Sequence, residues 1–333
     1  MRRSELARVL VATTVVAALA GCSNPVAERH GATTTPADGG QHRAALRFER
    51  ATSPERTLVL DRTGTAVAVF TDGARTVRLT GPSRTFREPK STEATVTSAA
   101  WVRLAPQAWS AGAERADWFE PWFAKARDDT SPDVLAVATE YLADAPDDRD
   151  ASGVRYRGDA SFGPVAKSGD GRLERSDFHD YLGLPWDFPD AGNDPADPDR
   201  YGAVDCSGFV RLVFGYRFGL PLLGSNDAGP GLPRRAYAIA KHGPGITLVE
   251  NEGARATAYD ALQPGDLVFF EVENGPDQLD HVGIYLGTDS ANHHRFISSR
   301  ERVNGPTMGD VGGTSLLDDG GHYSKAWRAA RRL

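Results

Sequence analysis

From Thr57 onward, short apolar runs alternate with turn residues: Thr57-Leu58-Val59-Leu60, Thr65-Ala66-Val67-Ala68-Val69-Phe70, Thr76-Val77-Arg78-Leu79-Thr80, Ala94-Thr95-Val96-Thr97 and Ala100-Trp101-Val102-Arg103-Leu104-Ala105-Pro106. Their β-branched content and period near two predict five strands. Asp72-Gly73 predicts a hairpin after the second run, because glycine adopts the positive φ of a tight turn without steric cost. Five strands with no helical period between them predict a small all-β barrel over 44–110. An aromatic connection follows over 111–130. With Trp109, its residues Trp118, Phe119, Trp122 and Phe123 are expected to form an interdomain packing surface.

Beyond this the period changes. Ser131 reads as an N-cap with Pro132 in the first turn, and Val134, Leu135, Val137, Ala138, Tyr141 and Leu142 follow helical spacing. That helix is expected to open a second domain, 131–333. A stretch rich in Asp, Gly and Pro comes next, with Asp187, Asp190, Asp194, Asp197 and Asp199 expected on a solvated loop. Phe209, Val210, Leu212, Val213 and Phe214 then predict the buried face of a helix. A short helix is expected at Arg234–Ile239. Leu267–Phe270 and Val282–Leu286 read as strands, antiparallel if the chain reverses at Gly275-Pro276. The basic tail Lys325, Arg328, Arg331, Arg332 is expected as a solvated helix face.

The first 22 residues pair Arg2-Arg3 with an apolar run shorter than the ~20 residues of a spanning helix, then close on Leu19-Ala20-Gly21-Cys22. This reads as a secretory signal with a lipobox, Cys22 being the lipid acceptor. Residues 23–43 hold hardly any large apolar side chain and read as a flexible spacer. The expectation is an extracytoplasmic protein held to a membrane by an N-terminal lipid. A formal net charge of −7 argues against general nucleic-acid binding. The sequence leaves the oligomeric state and the membrane face open.

The chain has two cysteines. With Cys22 assigned to lipidation, Cys206 is expected to be a free thiol. It precedes the apolar helix, so it stands at a helix N-terminus, where unpaired N–H groups and the macrodipole favour a thiolate. The same N–H groups could hold an oxyanion. Gly208 permits close approach of another segment. His281 enters the strand Val282–Leu286, where it could face that helix, so thiol and imidazole read as nucleophile and base. No metal or cofactor is expected: His293-His294 lacks a ligand set, and the faint calcium-loop pattern at Asp170-Gly171 puts Ala166 where the first carboxylate should stand.

Three runs, Asp205-Cys206-Ser207-Gly208-Phe209-Val210, Gly265-Asp266-Leu267-Val268-Phe269-Phe270 and His281-Val282-Gly283-Ile284-Tyr285-Leu286-Gly287, resemble in sequence and order the NlpC/P60 family of cysteine peptidases. Tyr181-Leu182-Gly183-Leu184-Pro185-Trp186 resembles a further family segment, with Trp186 where Tyr is usual. Trp101–Pro106 resembles the closing portion of bacterial SH3-like domains. The resemblance implies an α+β, papain-like fold, with a Cys-bearing helix packed on an antiparallel sheet, preceded by the β-domain. It implies Cys206 as nucleophile and His281 as base. It places Ser298 where the family has a third polar residue that orients the histidine, with His294, a backbone carbonyl or water as alternatives. Asp205, Ser207 and Trp186 fall at substrate-binding positions, where family members hold the free amine of a stem peptide; Asp205 reads equally as a helix cap.

The implied activity is that of a lipid-anchored peptidoglycan hydrolase cutting stem peptides at D-γ-glutamyl bonds to a diamino acid. A non-catalytic wall-binding or scaffolding lipoprotein and an acyltransferase on the same fold are the alternatives. Ala191–Asp199 is a candidate occluding loop, and the intervals 220–262 and 304–313 are candidate groove walls.

Overall fold

The computed structural model describes residues 46–273 and 278–333. The expected signal with Cys22, the spacer 23–43 and the reversal at Gly275-Pro276 lie outside the described residues.

The first sheet is an antiparallel meander in chain order, β1 (Arg47–Ala51), β2 (Arg56–Leu60), β3 (Ala66–Thr71), β4 (Thr76–Arg87) and β5 (Thr95–Leu104). β1 lies upstream of the first expected run. The runs expected at 94–97 and 100–105 are one strand, paired with β4 from Thr76↔Leu104 to Arg87↔Thr95 across a shift between Thr80 and Arg84. Among the described residues no ladder joins β1 to β5, so the sheet stays open where a barrel was expected.

The aromatic connection explains the open face. Phe70, fully buried on β3, lies 4.2 Å from the Trp109 ring and 5.6 and 5.9 Å from those of Phe119 and Phe123. The Trp109 indole donates to Thr57 Oγ1 at 3.0 Å. Trp109 and α1 (Phe119–Asp128) therefore complete this sheet's own core rather than an interdomain surface.

α2 (Val134–Thr139) is capped by Asp133, two residues later than expected. The fully buried Asp133 carboxylate accepts from Ala136 N at 3.0 Å, Val102 N at 2.6 Å and Arg84 Nη2 at 2.5 Å, so one side chain caps the helix and ties it to β4 and β5. Leu333 O accepts from Arg75 N and Thr76 N at 2.9 and 2.6 Å, and Glu88 accepts from Met308 N at 2.7 Å. The two expected domains form one compact unit.

Next come the hairpin β6 (Asp148–Arg149) and β7 (Arg155–Arg157), α3 (Phe178–Leu182), the hairpin β8 (Trp186–Phe188) and β9 (Gly192–Asp194), α4 (Cys206–Val210) and α5 (Ala236–His242). The helix of α4 widens to a π-helix over Arg211–Arg217. The rest of the chain builds a six-stranded sheet from β10 (Ile246–Val249), β11 (Leu267–Phe270), β12 (His281–Thr288), β13 (His294–Arg300), β14 (Gly305–Thr307) and, after α6 (His322–Ala326), β15 (Trp327–Arg332). Its order is β10-β15-β11-β12-β13-β14. β11 and β12 are antiparallel as expected, Val268 opposite Gly283.

The basic tail departs from expectation: β15 is an interior strand, and Arg331 and Arg332 are buried. Arg332 pairs with Asp266 at 2.7 Å, and Arg331 Nη1 donates to Gly243 O at 2.8 Å. Buried guanidiniums persist where carboxylates and carbonyls satisfy them, and Trp327, Ala329 and Ala330 supply the apolar surface.

Candidate active site

α4 starts at Cys206 because Asp205 caps it. Asp205 has extended backbone, and its Oδ1 accepts from Gly208 N at 2.7 Å, satisfying one of the free N–H groups of the first turn. Gly208 lets this turn lie against α3's entry, since a Cβ there would fall 2.3 Å from Ser176 O. The helix rests on the start of β12, with Cys206 Sγ 3.8 Å from the carbonyl oxygen of Asp280, the residue before His281. Cys206 and His281 line one cavity of about 410 Å³, whose walls include Glu174, Arg300 and Tyr323.

His281 Nε2 lies 3.0 Å from Ser298 Oγ, and that oxygen accepts from Arg300 Nε at 3.1 Å. Arg300 is held in turn: Nη1 donates to Gly313 O at 2.6 Å, Nη2 to Ser315 Oγ at 2.5 Å, and the guanidinium stacks 4.2 Å from the Tyr323 ring. No ion pair to a carboxylate involves Arg300 among the described residues. With the Arg300 proton on one lone pair, Ser298 keeps its second lone pair and its own proton for His281, and the contact is compatible with an Nε2–H tautomer. That tautomer leaves Nδ1 unprotonated, as a base requires.

Burial, followed by the charges of Arg300 and His322, pushes the His281 pKa down to about 3. Burial pushes the Cys206 thiol up, and Asp205 and Glu174 add to the effect. The sequence led us to expect a thiol lowered by its helix N-terminus. Desolvation and the two carboxylates oppose that influence and favour a neutral thiol, as burial favours a neutral imidazole, in the shared cavity.

The other candidates are placed elsewhere. Asp205 and Ser207 are buried and engaged by Arg234, whose Nη2 reaches Asp205 Oδ2 at 2.8 Å and whose Nη1 donates to Ser207 Oγ at 2.9 Å. Burial alone would raise the Asp205 pKa, but Arg234 overrides it and holds the carboxyl below its ordinary value. Neither residue lines the cavity, nor does Trp186, which packs edge-on to Phe178 at 4.9 Å. Asp205 and Ser207 fix the start of α4. His294 is turned away from His281: its Nδ1 lies 2.7 Å from Tyr285 Oη and its ring stacks 4.6 Å from that of Tyr259. Residues 191–199 and 220–262 do not line the cavity, whereas Gly312 and Gly313 of the 304–313 interval do.

Arg300, Arg234 and Tyr323 were missed. Arg300 had a signal, since it shares a strand face with Ser298 by the two-residue period. Arg234 and Tyr323 had none, because only chain folding brings them to residues 205–207 and 281.

The NlpC/P60 family profile matches residues 190–311, a span containing both Cys206 and His281. A probable endopeptidase NlpC of Escherichia coli (strain K12) is 32% identical over 141 residues, covering 41% of this chain and 69% of the relative. The chain belongs to the NlpC/P60 family. A probable endopeptidase of Haemophilus influenzae is 31% identical over 130 residues, covering 39% of this chain and 59% of that protein. A gamma-D-glutamyl-L-lysine dipeptidyl-peptidase of Bacillus subtilis is 34% identical over 83 residues, covering 25% of this chain and 21% of that protein. This NlpC/P60 chain thus spans well under two thirds of the latter two.

Proposed function

We propose that the protein is a cysteine peptidase of the bacterial cell wall, cutting peptidoglycan stem peptides. The observation that carries this reading is the shared cavity of Cys206 and His281, with His281 Nε2 3.0 Å from Ser298 Oγ; we assign Nδ1 as the base. The thiol proton passes to Nδ1 as sulfur attacks the scissile carbonyl, and the S–C bond forms. The backbone N–H groups of Cys206 and Ser207, in the helix's first turn, are the candidates to hold the oxyanion. The imidazolium then protonates the leaving amine, and the C–N bond breaks to give a thioester. Water, deprotonated by His281, cleaves the thioester, and the thiol regains its proton.

The finer reading is a D-γ-glutamyl bond to a diamino acid, supported by the similarity to the gamma-D-glutamyl-L-lysine dipeptidyl-peptidase of Bacillus subtilis. We read the first sheet, with its five antiparallel strands, as SH3-like, and Cys22 as the lipid-bearing residue of an extracytoplasmic, membrane-anchored chain. Loss of palmitate labelling in Cys22→Ser tests the anchor. The central experiment is digestion of purified sacculi by wild type and Cys206→Ala, with products identified by mass. The reading requires new stem-peptide fragments from the wild type alone. Intact peptides from both proteins would leave a wall-binding role.

A further inference from the structure

The seam between the two sheets holds an open pocket of about 310 Å³ that shares no lining residue with the catalytic cavity. One wall is a face of the first sheet. Leu58 stands opposite Val69 and Val69 opposite Arg78, so the three form a row across β2, β3 and β4, with Arg56 two residues from Leu58 on the same face. The other wall is the segment 260–264 with Arg332 of β15.

Arg56, Arg78 and Arg332 all reach this cavity, and they are unequally satisfied. Arg332 has a two-point pair with Asp266, Nη2 to Oδ2 at 2.7 Å and Nε to Oδ1 at 2.8 Å. Arg56 Nη1 donates to the carbonyls of Thr52 and Pro54 at 2.8 and 2.9 Å, neutral acceptors that leave its charge uncompensated. The half-buried Arg78 side chain has no hydrogen bond or ion pair among the described residues. Burial, then the charges of Arg332 and Arg56, pushes its pKa down. Asp260 supplies the carboxylate present in the lining.

We propose that this seam binds a small organic carboxylate, its oxygens taken by the Arg78 fork with the Arg56 charge beside it and its apolar body resting on Leu58, Val69 and Leu262. The planar guanidinium matches a carboxylate at two points. The apolar wall suits an organic acid, and Asp260 repels a monoanion less than a phosphate dianion. The volume lies at the small end for ligand pockets, which limits the occupant to the size of an acylated amino acid.

Calorimetric titration of the protein with N-acetylglycine, its neutral amide and inorganic phosphate tests this. The expected result is saturable binding of N-acetylglycine below about 10 mM, with the amide and phosphate at least tenfold weaker. Arg78→Gln should weaken N-acetylglycine at least tenfold, and Arg78→Lys, a second variant of unchanged melting temperature that keeps the charge but not the fork, at least threefold. No saturable binding, tighter binding of phosphate, or an affinity unmoved by both substitutions would overturn the proposal. Because the two cavities share no residue, these outcomes are independent of whether Cys206 cleaves peptides.

Discussion

Ser298 Oγ stands 3.0 Å from His281 Nε2, and at the residue scale Arg300 helps a hydroxyl hold the ring. On its own a hydroxyl rotates freely. Arg300 Nε, donating to Ser298 Oγ at 3.1 Å, takes one of its lone pairs and restricts that rotation. Ser298→Ala should keep its fold and lower kcat/KM roughly tenfold, the worth of one neutral hydrogen bond, and Ser298→Asn should restore part of it. Arg300 also acts through charge. In the proposed mechanism neutral His281 is the active form, so activity falls as pH drops through its pKa, and burial together with Arg300 holds that value down at about 3. Replacing Arg300 by Met removes a cation that disfavours the imidazolium. The acid limb of the kcat/KM profile should therefore move to higher pH. A limb unchanged in Arg300→Met would mean that the guanidinium only supports the loop at Gly313.

At the element scale, what positions the site is how α4 is started and held. Asp205 begins the helix, Gly208 lets it pass Ser176, and Arg211 in the π segment pairs with Asp177 at 2.9 Å in the interior. A π turn inside a helix costs hydrogen-bond geometry and recurs near functional sites. Here it follows directly on the turn that carries the thiol. Asp133 does comparable work for α2 by joining cap, strand amide and Arg84. Asp133→Ala strips three partners from one buried carboxylate and leaves a guanidinium unpaired, which should lower stability by about 3 kcal/mol. Thermal or urea unfolding of the variant measures it, and a change below ~1 kcal/mol would show that the network relaxes around the loss.

At the scale of the whole molecule, the first sheet and the peptidase sheet are parts of one unit. Thr76 N and Arg75 N hold the carbonyl of the last residue, and Arg332, next to it, bridges Asp266 and Thr71. A fragment limited to 131–333 loses these partners and exposes the buried face under Val102. Its circular-dichroism melt should be absent or well below that of residues 46–333, and an equal midpoint would mean that the seam adds nothing. Such contacts also mark the limit of what sequence discloses. That Cys206 and His281 share a site, the cap, the β11–β12 pairing and the β-rich first half were legible because each depends on local pattern: a small residue beside a thiol, a period of two, a carboxylate before a helix. The interior course of β15 was not legible, because its arginines look solvent-bound until Asp266 and the Gly243 carbonyl are brought to them. Nor was the neutral state of Cys206 and His281, since burial is a property of the folded whole, as are Arg234's hold on Asp205 and Ser207 and Tyr323's stack on Arg300. The sequence by itself determined which groups could react. Tertiary structure decided their charge, their partners and which of them face the cavity, because desolvation and contacts between segments far apart in the chain exist only once it has folded.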